Sequence, residues 1–165
     1  MCKIAVFATR FELKEVPKVN DLQLEFANIM SGEMPYTIDA KGRMSFPQRF
    51  REILGERFML TRGSGHNIVC YNEAQWQDTV RRIAAMPMGK NKDNLTHLVV
   101  KGATPVEADK LGRILIPQTL REFANLTHDV YVVGAIDVAE IWDKAAYESH
   151  NIADEDIYDA YSALE

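Results

Sequence analysis

The side chains best suited to molecular recognition lie in one short stretch: Asp39, Lys41 and Arg43 around Gly42, followed by Arg49. The planar guanidinium of arginine donates two parallel hydrogen bonds to O6 and N7 of guanine, or clamps a phosphate. A carboxylate repels phosphate, so Asp39 is better suited to organising the turn or holding Arg43. The stretch therefore combines a held arginine with two further cations, an arrangement that suits binding.

The same pattern occurs again seventy residues further along the chain. Across residues 36–52 and 106–122, seven of seventeen aligned positions are identical. The identical pairs are Asp39/Asp109, Gly42/Gly112, Arg43/Arg113, Pro47/Pro117, Gln48/Gln118, Arg51/Arg121 and Glu52/Glu122. A repeat of this length indicates two copies of one supersecondary unit.

Each copy must place its turn between strands and follow it with a helix. An extended stretch precedes the glycine, and a second strand follows it. The glycine supplies the positive φ that other residues rarely adopt. Pro47 and Pro117 favour the first position of a short helix, predicted over 48–54 and 118–125. On those helices, Arg51/Glu52 and Arg121/Glu122 are expected to form surface pairs or pairs between the copies.

Two further strands and a helix complete each copy. The strands are predicted over 57–61, 68–71, 130–133 and 139–142. Asn72 with Gln75 has the pattern of a capping box, and Asp143 that of an N-cap. Neither copy has enough strands to close a barrel, but two copies can bury one core. The sequence therefore predicts an α+β fold, a pseudo-twofold β-barrel built from two tandem β-hairpin and helix repeats with peripheral helices.

The repeats also divide the chain into segments. The predicted segments are an extension at 1–29, a first repeat at 30–89, a bridging helix at 90–102 centred on 94–101, a second repeat at 103–150 and an acidic tail at 151–165. The tail is expected to be either a docked C-terminal helix or a loose segment.

Charge and composition exclude several classes of protein. The net charge is −5, but residues 143–165 hold seven acids against one lysine, and residues 30–92 hold ten basic against six acidic residues. A local basic surface, rather than the total charge, decides binding to a polyanion. The two cysteines and four scattered histidines form no metal or disulfide pattern, and no apolar run approaches the roughly 20 residues of a membrane span. We therefore expect a cytoplasmic protein without cofactor, metal, small-molecule substrate or export signal.

The spacing Asp-x-x-Gly-Arg, three residues, Pro, three residues, Arg resembles the AbrB-like swapped-hairpin DNA-binding fold. Two tandem copies, with the flanks LGERFMLTRG and AEIWDKAAYE, resemble the MraZ family of bacterial transcriptional regulators over about residues 30–150. The resemblance implies a ring homo-oligomer, commonly an octamer, that binds direct repeats in double-stranded promoter DNA. It also implies repression of its own division and cell-wall gene cluster and a location over the nucleoid. Family members begin close to the first repeat, so residues 1–29 are expected to be an upstream extension from a misassigned start codon.

The resemblance and the basic side chains around the motif predict one set of DNA-binding residues. They are Asp39, Lys41, Gly42, Arg43, Arg49, Asp109, Lys110, Gly112 and Arg113. The first copy is expected to contribute more, because Leu111 stands where the first copy has Lys41. In two alternative interpretations, the Asp–Arg pairs only fasten the hairpins, or the protein forms a ring without a direct DNA role. A catalytic carboxylate dyad is disfavoured, because the Asp-Thr/Ser-Gly context of aspartic proteases is missing, so no enzyme activity is expected.

Overall fold

The computed structural model describes residues 28–150 and 152–164. The strands are β1 (Glu33–Thr37), β2 (Arg43–Ser45), β3 (Arg57–Arg62), β4 (Ile68–Tyr71), β5 (Thr104–Glu107), β6 (Arg113–Leu115), β7 (Asp129–Ala135) and β8 (Val138–Asp143). The α-helices are α1 (Gln48–Leu54), α2 (Glu73–Ala85), α3 (Lys90–Leu95), α4 (Gln118–Phe123), α5 (Lys144–Glu148) and α6 (Asp154–Ser162), and a π-helix spans Thr96–Val100. Most of the predicted extension, residues 1–27, lies outside the described residues.

The strands of the two copies are exchanged. The larger sheet has the antiparallel order β1-β7-β8-β4-β3-β5, and β2 pairs with β6 in a second sheet. Strand β1 of the first copy thus lies beside β7 of the second, and β5 of the second lies beside β3 of the first. The pairs β4–β8 and β2–β6 join equivalent strands and mark a pseudo-twofold axis.

This exchange agrees with the swapped-hairpin resemblance and refines the β-hairpin predicted around each turn. Two residues after β1, the Asp39 N–H donates to the Arg43 carbonyl at the start of β2 (2.8 Å), whereas β2 forms its ladder with β6 of the other copy. The exchange brings the buried Met44 opposite the buried Ile114 at the axis. Apolar burial on the axis therefore accompanies the pairing between copies.

One hydrophobic core is shared by both copies. Phe50 of α1 and its counterpart Leu120 of α4 are each at most 1% exposed, and both belong to the same cluster as Met44 and Ile114. The predicted α+β fold around a shared core is confirmed. The ladder of the larger sheet ends at β1 and β5, and the described strands form two sheets rather than one continuous hydrogen-bonded barrel.

The helices begin and end close to their predicted positions. Helix α1 has the predicted bounds, whereas α4 ends at Phe123, before the predicted 125. Pro47 and Pro117 are N-caps rather than the first helical residues. The capping box of α2 is confirmed: the Asn72 side chain accepts from the Gln75 N–H (2.9 Å), and the Gln75 side chain accepts from the Asn72 N–H (3.0 Å).

Two segments lie between or after the copies. Helix α3 runs directly into the π-helix. The helical segment therefore begins at Lys90, four residues before the helix predicted over 94–101. Residues 152–164 include α6, and every side chain described there is exposed, so the tail forms a helix that is not buried against the core. None of the helices in the described ranges is long and apolar enough to cross a membrane.

Candidate nucleic-acid interface

Turn 1 (residues 39–43) is built around the carboxylate of Asp39. Its Oδ1 accepts from the backbone N–H groups of Lys41 and Arg43, both at 2.9 Å, and its Oδ2 accepts from Nε of Arg43 at 2.9 Å. The hydrogen bond from the Arg43 backbone is the main cause that holds the pKa of Asp39 below its ordinary value. Asp39 therefore shapes the turn and fixes Arg43, as the sequence suggested.

Turn 2 (residues 109–113) has the same geometry. Asp109 Oδ1 accepts from the backbone N–H groups of Leu111 and Arg113, and Oδ2 accepts from Nε of Arg113, each at 2.9 Å. The backbone of Arg113 lowers the pKa of Asp109 for the same reason. Gly42 and Gly112 have φ of 82° and 75°, values that favour glycine, so both turns require one there.

The two turns are braced crosswise by the helices. A Cβ built on Gly42 would lie 2.8 Å from Cζ of Arg121, a residue of the second copy. A Cβ built on Gly112 would lie 2.7 Å from Nη2 of Arg51, a residue of the first copy. Each glycine therefore leaves room for the guanidinium of the other copy.

Each bracing arginine is also held by its own copy. Nε of Arg51 donates to the Phe46 carbonyl (3.3 Å), and Nε of Arg121 donates to the Ile116 carbonyl (3.1 Å). Sequence reasoning left the roles of these arginines open between surface pairs and pairs between copies. Their identity in both copies, together with that of the two glycines, was the signal for this contact.

The remaining identical residues complete the start of each helix. Gln48 donates to Glu52 (3.0 Å), and Gln118 donates to Glu122 (2.7 Å), both over one helical turn. The two arginines thus contact the other copy, as one of the two expectations had it, and the glutamates accept from the glutamines of their own helices.

The two turns present their arginines on one face of the β2–β6 sheet. Met44 and Ile114 point into the core, so the alternate residues point away from it. We call these four residues, Arg43, Ser45, Arg113 and Leu115, the outer face. Arg43 lies opposite Leu115, and Ser45 lies opposite Arg113. Arg43 and Arg113 are thus diagonal neighbours on this face. The backbone positions of such neighbours in an antiparallel pair lie about 7–8 Å apart.

The other predicted DNA-binding residues are placed differently. Lys41 and Lys110 are exposed within the turns. Arg49 lies on α1 and donates to the carbonyl of Ile29 at 3.2 Å, so this contact ties it to the segment before β1. The structure thus brings the Asp, Gly, Arg and Lys positions together in two turns, while Arg49 lies on the neighbouring helix.

Residues with potential for other chemistry are engaged elsewhere. Cys70 is fully buried in β4, and burial raises the pKa of its thiol, so it stays protonated. Both oxygens of Asp39 and of Asp109 are bonded within their own turns. Within the described ranges, no group of three or more His, Cys, Asp or Glu side chains could hold a metal ion.

Comparison with known proteins adds the decisive observation. A family model described as "MraZ protein, putative antitoxin-like" matches the chain twice, over residues 29–98 and 99–159. The chain belongs to the MraZ family. The two matches to the MraZ model correspond to the two copies.

Individual MraZ proteins are similar over most of their length. The "Transcriptional regulator MraZ" of Acetivibrio thermocellus is 41% identical over 121 residues, which cover 73% of this chain and 85% of that protein. The "Transcriptional regulator MraZ" of Desulfitobacterium hafniense is 40% identical over 128 residues, covering 77% and 90%. That of Caldicellulosiruptor saccharolyticus is 36% identical over 130 residues, covering 78% and 90%. The similar proteins are thus named as regulators rather than enzymes.

Proposed function

We propose that this MraZ protein is a sequence-specific DNA-binding transcriptional regulator that reads double-stranded DNA with its outer face and both turns. The observation that carries the proposal is the pair of Asp-held arginines, Arg43 and Arg113, on one exposed two-stranded sheet. The proposed DNA-binding site consists of Asp39, Lys41, Gly42, Arg43, Arg49, Asp109, Lys110, Gly112 and Arg113. Within this site, the aspartates and glycines shape the turns, and the lysines and arginines contact the DNA.

The dimensions of the outer face suit the major groove, which admits a two-stranded β-ribbon. The spacing of about 7–8 Å between the arginines is close to two base-pair steps of about 3.4 Å. Each aspartate accepts from Nε of its arginine, and Asp109 Oδ2 also lies 2.9 Å from Nη2 of Arg113, which leaves the remaining N–H groups of each planar fork for guanine O6 and N7. The first copy is proposed to bind more strongly, because it adds Lys41.

A single copy of the chain offers few cations, and each key arginine shares its charge with an aspartate. Such a unit binds DNA weakly, since affinity for DNA grows with the number of phosphates neutralised. We therefore propose a ring homo-oligomer, commonly an octamer, acting on direct promoter repeats, where linked binding raises the effective concentration. The proposed result is repression of its own division and cell-wall gene cluster, in the cytoplasm and at the nucleoid.

The proposal includes a barrel formed by the two sheets. The Asp39 N–H donates to the Arg43 carbonyl, and the Asp109 N–H donates to the Arg113 carbonyl, each at 2.8 Å. These bonds join the ends of β1 and β5 to the smaller sheet. Hydrogen exchange tests this: protection of both N–H groups at the level of the core strands supports a barrel, and exchange as fast as in open loops contradicts it.

The direct test is binding of the purified full chain to the DNA upstream of its own gene, measured by gel shift at fixed salt. Arg43→Ala should abolish the shift and leave the oligomer intact, and Arg113→Ala should weaken it less. Arg82→Ala is the matched control, because Arg82 is a highly exposed helix arginine paired with Asp78. Unchanged binding by Arg43→Ala would reject the assignment. A stable oligomer that binds no DNA would instead favour an interaction protein.

A further inference from the structure

The outer face carries an exposed leucine beside its arginines. Leu115 of β6 is 55% exposed, whereas its counterpart in the first copy is Ser45. Leu115 is thus an apolar side chain on the surface that is proposed to bind DNA, and covering it on binding would be favourable. The question is what covers Leu115 when the protein acts.

The register places Leu115 beside two arginines of the outer face. Leu115 lies directly opposite Arg43, and Arg113 precedes it by two residues on the same face of β6. The flanking bonds from Phe46 N–H to Gly112 O and from Ile116 N–H to Gly42 O fix the alternation of the ladder. Arg43 and Leu115 therefore form a non-hydrogen-bonded pair, in which Cα atoms approach to about 4.5 Å and side chains lie closest.

This neighbourhood favours DNA as the occupant. Leu115 lies opposite one arginine and two residues after another on the same face of the sheet, so its occupant must offer hydrogen-bond acceptors beside an apolar group. The DNA major groove offers both, since the O6 and N7 acceptors of guanine, which suit arginine, can adjoin the C5 methyl group of thymine. An apolar side chain beside a guanine-binding arginine fits that edge.

We propose that Leu115 is a specificity-determining residue that contacts the C5 methyl group of a thymine next to the base bound by Arg43. The inference rests on the proposed function, because it assumes that the outer face enters the major groove. Ser45, opposite Arg113, lacks an apolar group of this size. The two halves of the outer face therefore read different bases.

The experiment uses the full chain and a synthetic duplex containing the DNA that the protein binds. Each thymine is replaced in turn by deoxyuridine, at the equivalent place in every repeat, which removes the methyl group and keeps base pairing. One position should weaken wild-type binding roughly fourfold per contact, the factor for one CH2-sized group removed from an apolar contact. Leu115→Ser should bind the thymine duplex more weakly and be insensitive to deoxyuridine at that position.

Met88→Ser is the matched control, because Met88 is 83% exposed and lies outside the outer face. This variant should keep the full response to deoxyuridine. Wild-type binding that responds to no thymine, or a response that persists in Leu115→Ser, would overturn the inference while leaving DNA binding established. A smaller oligomer for Leu115→Ser in light scattering would show a subunit contact and also overturn it. Absence of wild-type DNA binding would refute the proposed function together with the inference.

Discussion

Replacing Arg121 by alanine should loosen the turn of the other copy rather than its own. The side chain covers Gly42 of turn 1 and donates to the Ile116 carbonyl, while the Ile116 N–H donates to the Gly42 carbonyl (2.9 Å). This series of contacts leads from α4 of the second copy to turn 1 of the first. By the same geometry, Arg51→Ala should loosen turn 2.

The size of the effect follows from the contact that is lost. A hydrogen bond from a charged donor contributes about 1.5–3 kcal/mol, and Arg121 is partly exposed, so we expect about 1.5–2 kcal/mol. For a domain of this length, each kcal/mol corresponds to about 2–4 °C, so Tm should fall by about 3–8 °C. If the loss acts on turn 1, opening of that turn should become about 10- to 30-fold more frequent.

Hydrogen–deuterium exchange with peptide mass spectrometry separates the two turns, because they lie on different peptides. In Arg121→Ala, exchange should accelerate in turn 1 and remain near wild type in turn 2, since exchange follows the local opening equilibrium. Arg51→Ala should give the reverse pattern and is the matched control. Equal acceleration in both turns would indicate general destabilisation. Acceleration in turn 2 by Arg121→Ala would refute the crosswise bracing.

Three further predictions follow from the turns and the tail. In thermal unfolding, Gly42→Ala should lower Tm more than Gly32→Ala, because both glycines have positive φ but only the Cβ at residue 42 would meet Arg121; equal losses would contradict the contact. Because the pKa of Asp39 is lowered on folding, its stabilisation is present above the unfolded pKa of about 3.9 and is lost as pH falls through the folded value. The difference in unfolding free energy between wild type and Asp39→Asn should therefore shrink below about pH 4, and growth of that difference in denaturant titrations would contradict it. Deleting residues 151–165, which carry five acids and no base, should raise affinity for unrelated DNA in anisotropy titrations, and no change would exclude a competing role for the tail.

Local signals in the sequence predicted local structure well. The bounds of α1, the capping box at Asn72 and the organising role of Asp39 all depend on residues within a few positions of one another. The strand that pairs with β2 could not be predicted from such local signals. A strand of three residues with one buried side chain, Met44, fits an intracopy hairpin or an exchanged pair equally well, so its length and pattern left the partner open, and only the swapped-hairpin resemblance pointed to the exchange.

The residues that differ between the copies distinguish the two halves of the proposed DNA-binding surface. Gly42 and Gly112 must both be glycine because each receives an arginine of the other copy, so identity there maintains a reciprocal scaffold. Two exposed positions next to the identical arginines differ between the copies: Lys41 corresponds to Leu111, and Ser45 to the exposed Leu115. A duplication held together crosswise can thus keep one fold while its two halves acquire different chemistry. Such a unit can distinguish the two directions along a DNA duplex, which an exactly symmetric pair could not do.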